Sequence, residues 1–188
     1  ENNNEVVLGG GQLNQVKSIN LSQLDSRLMQ TKIIIASDVS NPLCGANGAS
    51  VVFGPQKGAS VDMVEILDAN LNHFSDLVES TLGIHVKHQA GAGAAGGLSF
   101  GLMAFTGATI QSGAELIIKE TGLAEKIAQA DYVFTGEGSI DFQTKFGKTP
   151  WAVAQVAKRF NKPVIAFAGR VGDDIDARDP NELAESIY

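Results

Sequence analysis

Residues 131–150 read DYVFTGEGSIDFQTKFGKTP, and the architecture follows from how that stretch changes character. Tyr132, Val133 and Phe134 make a short run of apolar, strand-favouring residues. Gly136 and Gly138 follow, bracketing the carboxylate of Glu137, with Asp141, Thr144 and Lys148 beyond. A packed core has no use for that mixture. Glycine lets backbone approach a ligand closely, and the loop leaving the carboxyl end of a parallel strand is where open α/β sheets bind ligands. The expectation is a strand over Tyr132–Thr135 that breaks into an anion-handling loop. Thr149 then caps a helix with Pro150 at its first position, and Trp151, Ala154, Ala157 and Phe160 face inward from it. The segment PVIAFA at 163–168 supplies a second buried strand. The unit is β-loop-α-β, predicted to be a right-handed crossover in a parallel sheet.

Working outward, EVVL (5–8) and IIIA (33–36) read as strands, the second as a buried parallel strand because it is apolar at successive positions. It runs into SDVSNPLCGANGAS (37–50), a loop of Asx, Ser, Pro and Gly. Val51–Phe53 is expected as a further short strand. Ser60 can cap a helix with Asp62 in its first turn. Val64, Leu67, Leu71, Phe74 and Val78 recur at helical spacing behind it, and Gly83 suits its end. Ile84–Gln89 reads as a weak strand, before a glycine turn that opens a small-residue helix through about Phe105. Residues 114–130 are helical with a break near Gly122. These segments form a more mixed α/β body than the 131–168 unit. The chain opens without Met inside sequence that looks structured, so it is expected to be a piece of a larger protein.

At 188 residues, 44% hydrophobic and 19% charged, the chain can bury a core and has the balance of a globular protein. Its formal net charge is −7. That field repels nucleic acid and anionic membranes, so neither is expected as a partner. Anionic ligands would need local cations. Lys57, Lys87, Lys145, Lys148 and Arg170 lie nearest the glycine-rich segments. Cys44 is the one cysteine, which rules out an intrachain disulfide, and no Cys/His metal cluster is legible. No apolar run approaches the ~20 residues of a membrane span and no leader is legible, so a cytoplasmic protein is expected.

Gly91, Gly93 and Gly96 satisfy G-x-G-x-x-G between a strand pattern and a helix pattern. One reading is a phosphate held by helix amides; the other is close packing that only Gly and Ala permit. A dinucleotide site also needs an acid at a strand end about 20 residues on, and Glu115 sits in a helix start instead. Gly147-Lys148-Thr149 imitates the end of a Walker A loop, but the required first glycine is Phe142. Asp38 ends an apolar strand with Asn41 just beyond, a placement used to orient a hydroxyl or a hydrated cation and also to stop a strand with an Asx turn. Glu137 or Asp141 could hold Mg²⁺, act as a base or cap loop amides. His85 and His88 fall on opposite faces of a strand pattern, against a shared metal.

ASDVSNPLCGANGASVVFGPQKGA (36–59), QAGAGAAGGLSFGLMAF (89–105) and FTGEGSIDFQTKFGKTP (134–150) resemble, in order, three signature segments of the bacterial glycerate kinase family of the glycerate 2-kinase type. The resemblance implies ATP-dependent phosphorylation of D-glycerate to 2- or 3-phosphoglycerate with Mg²⁺. It implies an α/β fold of two domains with ligands in the cleft between them: residues 1–127 as a second, inserted mixed α/β domain and 128–188 as part of a Rossmann-like parallel sheet. On that scheme Asp38 and Asp141 are catalytic, and Gly91, Gly93, Gly96, Gly97 and Lys148 bind the nucleotide phosphates. Asn41 and Thr135 meet the substrate, and Glu137 meets the metal. Small molecules, ATP and glycerate, are the expected partners, with a homodimer left open. Family members are longer and carry an Asp-Ser-Phe-Lys element and a Gly-Gly-Ser-Ala-Thr-Asn-Asp segment, both absent here, so this piece alone is expected to be inactive or nearly so. The rival readings are an inactive sugar-acid-binding module derived from a kinase and an NAD-dependent oxidoreductase.

Overall fold

The computed structural model describes residues 9–140, 144 and 149–172. The expected strand at 5–8, and Asp141, Lys145 and Lys148, lie outside the described residues. The chain forms two compact units that divide between Gln111 and Ser112.

In the first unit, β1 (Ile34–Ala36) forms where three isoleucines precede Ala36 and pairs in parallel with β2 (Thr109–Gln111), Ile35 opposite Ile110. Sequence reasoning found β1 and missed β2, which is too short to show a period. A short helix, α1 (Ala49–Phe53), takes the place of the strand expected at Val51–Phe53. Its start is pinned from outside, where Ala49 N donates to Leu43 O at 3.0 Å, and its first turn closes as Val52 N donates to Gly48 O at 3.0 Å. The β-branched pair Val51–Val52 favours a strand only weakly, and burial of Ala49 and Ser50 overrides it.

Helix α2 (Val61–Leu82) is as its apolar stripe predicts. Ser60 Oγ accepts from Met63 N at 3.3 Å, and Gly83 closes the far end in the left-handed region at φ 69°. The strand expected at Ile84–Gln89 does not form. Its amides go to other partners, Lys87 N to the Glu79 carboxylate at 3.2 Å and Gln89 N to Val86 O at 3.1 Å. A 3-10 turn (Ala94–Gly97) opens helix α3 (Leu98–Thr106), as the small-residue pattern suggests. The core of this unit is Leu43, Val78, Ala92, Phe100, Met103 and Ala104. The Phe74 ring meets Phe100 edge-on, with centroids 6.4 Å apart.

The second unit begins with α4 (Gly113–Glu120) and α5 (Leu123–Gln129), separated at Gly122 as expected. Strands β3 (Val133–Ile140) and β4 (Val164–Val171) pair in parallel around helix α6 (Thr149–Arg159). Both strands outrun expectation. Gly136, Glu137 and Gly138 do not leave β3 as a loop; Gly136 lies opposite Phe167, Glu137 opposite Ala168 and Ser139 opposite Arg170. Gly136 serves the ladder itself, since a side chain there would press against Phe167 O at 3.0 Å, whereas one on Gly138 would meet nothing within 4 Å. Val133 and Val164 on one sheet face pack with Val153, Ala154, Val156 and Ala157 of α6 and with Ile127 of α5. Because α4 and α5 pack with α6, the compact division falls before residue 127. Phe160 does not face inward: it lies beyond the end of α6 and is 40% exposed. On the other sheet face Phe134 and Phe167 stack, centroids 6.2 Å apart, and both are exposed. No helix among the described residues is long and apolar enough to cross a membrane.

Candidate functional site

Two of the three segments singled out from sequence are built against each other in the first unit. Ser37 N donates to Gln111 O at 3.0 Å, carrying the β1–β2 pairing one step further, and Val39 N donates to Ser37 Oγ at 3.2 Å. Asp38 is thereby held just past the carboxyl end of β1 with its side chain exposed. Asn41 braces the same loop: its Nδ2 donates to Asn47 O at 2.9 Å, and its carbonyl accepts from Gly93 N at 2.9 Å. At Gly93 a Cβ would run into the Pro42 carbonyl oxygen; at Gly91, with φ 86°, it would sit 2.8 Å from Ile110 Cδ1 and 3.0 Å from Val39 O. Gly91 and Gly93 therefore serve close backbone packing, which seats the glycine segment on the loop that carries Asp38 and Asn41.

Beyond them Ala95, Gly96 and Gly97 all lie in the left-handed region, at φ 52°, 72° and 98°. For alanine this conformation costs on the order of 1 kcal/mol, strain that the surrounding turn must hold. Gly93 N, Ala94 N and Gly96 N bond to the carbonyls of Asn41, Gly91 and Gly93 at 2.9, 3.0 and 3.1 Å, so the turn is held by its own backbone bonds and by the loop after β1. A Cβ on Gly96 would meet no atom within 4 Å, so there the backbone is open to approach. Gly97 lies over the fully buried Leu43. A hollow of about 460 Å³ adjoins Gly96, walled by Leu13, Val16, Phe53, Leu67 and Leu71, with Lys57 as its cation.

Lys87, one of the cations offered to an anion from sequence, is otherwise engaged. Its ammonium pairs with Asp76, whose carboxylate holds the Lys87 pKa above the usual lysine value. Next to the same loop, Cys44 is half-buried, and burial first, then the nearby Asp68 carboxylate, pushes its thiol up to about 12. A thiol in that state is no nucleophile at neutral pH. Sequence reasoning passed over Asp68 and Asp76; their spacing of four with Asn72, one helix face, was the available signal. His85 Nδ1 lies 3.4 Å from Glu79 Oε2, and among the described residues no group of three or more His, Cys, Asp or Glu is placed to hold a metal.

In the second unit Thr135 and Glu137 are half-buried neighbours on β3, opposite Ala166 and Ala168. One carboxylate oxygen of Glu137, Oε2, is buried and has no hydrogen-bond partner. A buried, unpartnered carboxylate oxygen is costly and fits a cation. Asp141 and Lys148 of the same segment lie outside the described residues. A second hollow, about 650 Å³, lies among α4, α5 and α6 and is lined by Glu115, Lys119, Trp151 and Arg159.

Comparison with known proteins adds to this geometry. A family model described as "Glycerate kinase family" matches residues 1–187. The chain is similar to the "Glycerate 2-kinase" of Escherichia coli (strain K12), 49% identical over 93% of this chain and 46% of that protein. It is similar to the "Glycerate kinase" of Bacillus subtilis (strain 168), 46% identical over 92% of this chain and 45% of that protein. Among solved structures it is similar to that of a "putative glycerate kinase 2" from Salmonella typhimurium LT2, with TM-score 0.80 and 45% identity, covering 90% of this chain and 47% of that one. The chain thus spans about half the length of the curated relatives it matches.

Proposed function

The chain belongs to the glycerate kinase family, and from that premise we propose that the whole protein transfers the terminal phosphoryl group of ATP to a hydroxyl of D-glycerate. The observation that carries this reading is the seating of the glycine segment on the loop after β1 through Gly93 N and Asn41 O, 2.9 Å apart. Phosphoryl transfer asks little covalent chemistry of a protein; it asks for positioning and charge neutralisation. A glycine turn joined directly to a loop bearing a carboxylate supplies the first.

Asp38, exposed at the carboxyl end of β1, orients the glycerate hydroxyl and takes its proton. Asn41 contacts glycerate through a side chain already braced on Asn47. The turn at Gly96 and Gly97 meets the phosphates, and Gly91 and Gly93 contribute by holding that turn in place. Asp141 serves the reaction from the segment that follows β3. The unpartnered Oε2 of Glu137 suits Mg²⁺, and that ion would supply neutralisation of phosphate charge.

A coupled assay of ADP release by the whole protein, with and without D-glycerate, tests the proposal. Glycerate-dependent release is expected; tight glycerate binding with no release would leave only a binding module. Asp38→Asn should lower kcat by about 100-fold or more while the Kd for ATP stays near wild type. Equal losses in both would remove Asp38 from its role.

A further inference from the structure

One face of α2 reaches both segments of the candidate site. Asp68, Asn72 and Asp76 fall four apart and Glu79 three further on, so they share a stripe. Asp68 accepts from Gly45 N through both carboxylate oxygens, each at 3.1 Å, which ties down the loop after β1. Asp76 pairs with the Lys87 ammonium, which also donates to Asn72 Oδ1 at 3.3 Å; Asn72 Nδ2 in turn donates to Asp76 Oδ2 at 3.1 Å. Glu79 accepts from Lys87 N at 3.2 Å. Lys87 O then accepts from Leu43 N at 2.9 Å. The helix thus fixes Lys87, Lys87 fixes the loop at Leu43, and two residues back on that loop Asn41 O holds Gly93.

We infer that Lys87 and the Asp68–Asn72–Asp76–Glu79 stripe of α2 are positioning residues of the phosphoryl-transfer site, setting the loop that bears Asp38 and Asn41 relative to the glycine turn. Structural support alone explains the arrangement poorly. The Asp76 side chain is 55% exposed, and an ion pair so open to water adds little to stability. What it does well is direct: the Lys87 side chain is only 16% exposed, and its backbone amide and carbonyl and its ammonium each hold a different partner. A displacement near 1 Å at a reacting centre costs on the order of 100-fold in rate, far more than such a pair costs in folding. The inference rests on the kinase reading above.

The test uses the whole protein and the variants Lys87→Met and Lys87→Arg. Lys87→Met should keep its Tm within a few degrees, lose roughly 100-fold in kcat for glycerate, and release more ADP per phosphoglycerate formed, because hydrolysis needs no alignment with glycerate. Lys87→Arg, which keeps the charge beside Asp76, should recover most of the rate and the coupling. If the wild type itself releases no ADP with glycerate, the kinase reading falls and the inference with it. If the wild type is active and Lys87→Met matches it in rate and coupling, the inference alone is overturned. Rate and Tm falling together, with coupling intact, would make the stripe a folding element and overturn it equally. Should Lys87→Met fail to fold, Asp68→Asn, which keeps side-chain size while weakening the hold on Gly45, reads the same three quantities.

Discussion

Glycine does different work at neighbouring positions of the 91–97 segment, and substitution separates the uses. Gly93 has an ordinary φ of −77°, so Gly93→Ala meets no conformational penalty; it fails on the collision with the Pro42 carbonyl. A clash against backbone cannot be relieved by a rotamer change, and a loss of about 3 kcal/mol or more is expected. Gly96→Ala has open space but φ 72°, so its cost should stop at about 1–2 kcal/mol. Urea denaturation of the two variants should rank them in that order, and the reverse ranking would contradict the packing described. Cys44 offers a pH test. Burial raises its thiol pKa from 9.0 to about 12 in the folded state, so the unfolded chain ionises first as the pH rises. The contribution of this group to stability is intact below about pH 9 and shrinks as the pH rises toward 12. Iodoacetamide at pH 8 should therefore label native protein far more slowly than urea-unfolded protein, and equal rates by mass spectrometry would refute the burial.

Helix α2 is the element that organises the first unit, and its ends are set locally. Ser60 satisfies one of the first-turn amides through Met63 N, with Asp62 beside it in the positive first turn. Ser60→Ala should cost about 1 kcal/mol in chemical denaturation, with no change in kcat for the whole protein; a change in kcat would mean that the helix start also bears on the site. Its apolar stripe and both caps were legible because helix periodicity and capping involve residues three and four apart. The elements that were misread share the opposite property. Val51–Phe53 and Ile84–Gln89 have weak strand preference and no fixed local alternative. Their conformations follow from partners outside the three- and four-residue spacing of a helix, Leu43 O six residues before Ala49 N and Glu79 Oε1 eight residues before Lys87 N.

Among the described residues there are two hydrophobic cores, one around Phe100 and Leu43 and one around Val164 and Ala154. In the second, Val164 is 1% exposed whereas Phe134, across the same sheet, is 63% exposed. Val164→Ala should therefore cost about 2 kcal/mol and Phe134→Ala about 1 kcal/mol or less, despite the larger side chain removed. Thermal denaturation of the two variants decides it; a larger loss at Phe134 would show that its face is covered. From residue order came the parallel β-loop-α-β unit, α2 with its caps, the break at Gly122, the glycine turn opening α3, and a resemblance pointing to Asp38, Asn41 and Gly91–Gly97. Each rests on spacing within a few residues, or on the identity of a contiguous segment, and needs no knowledge of what packs nearby. Residue order did not show that β1 pairs with β2, that Gly136–Gly138 continue a strand, that Gly91 and Gly93 are packing contacts, or that Lys87 is spent on Asp76. Those depend on contacts between distant residues, which leave no period in a sequence and exist only once the chain has closed its loops.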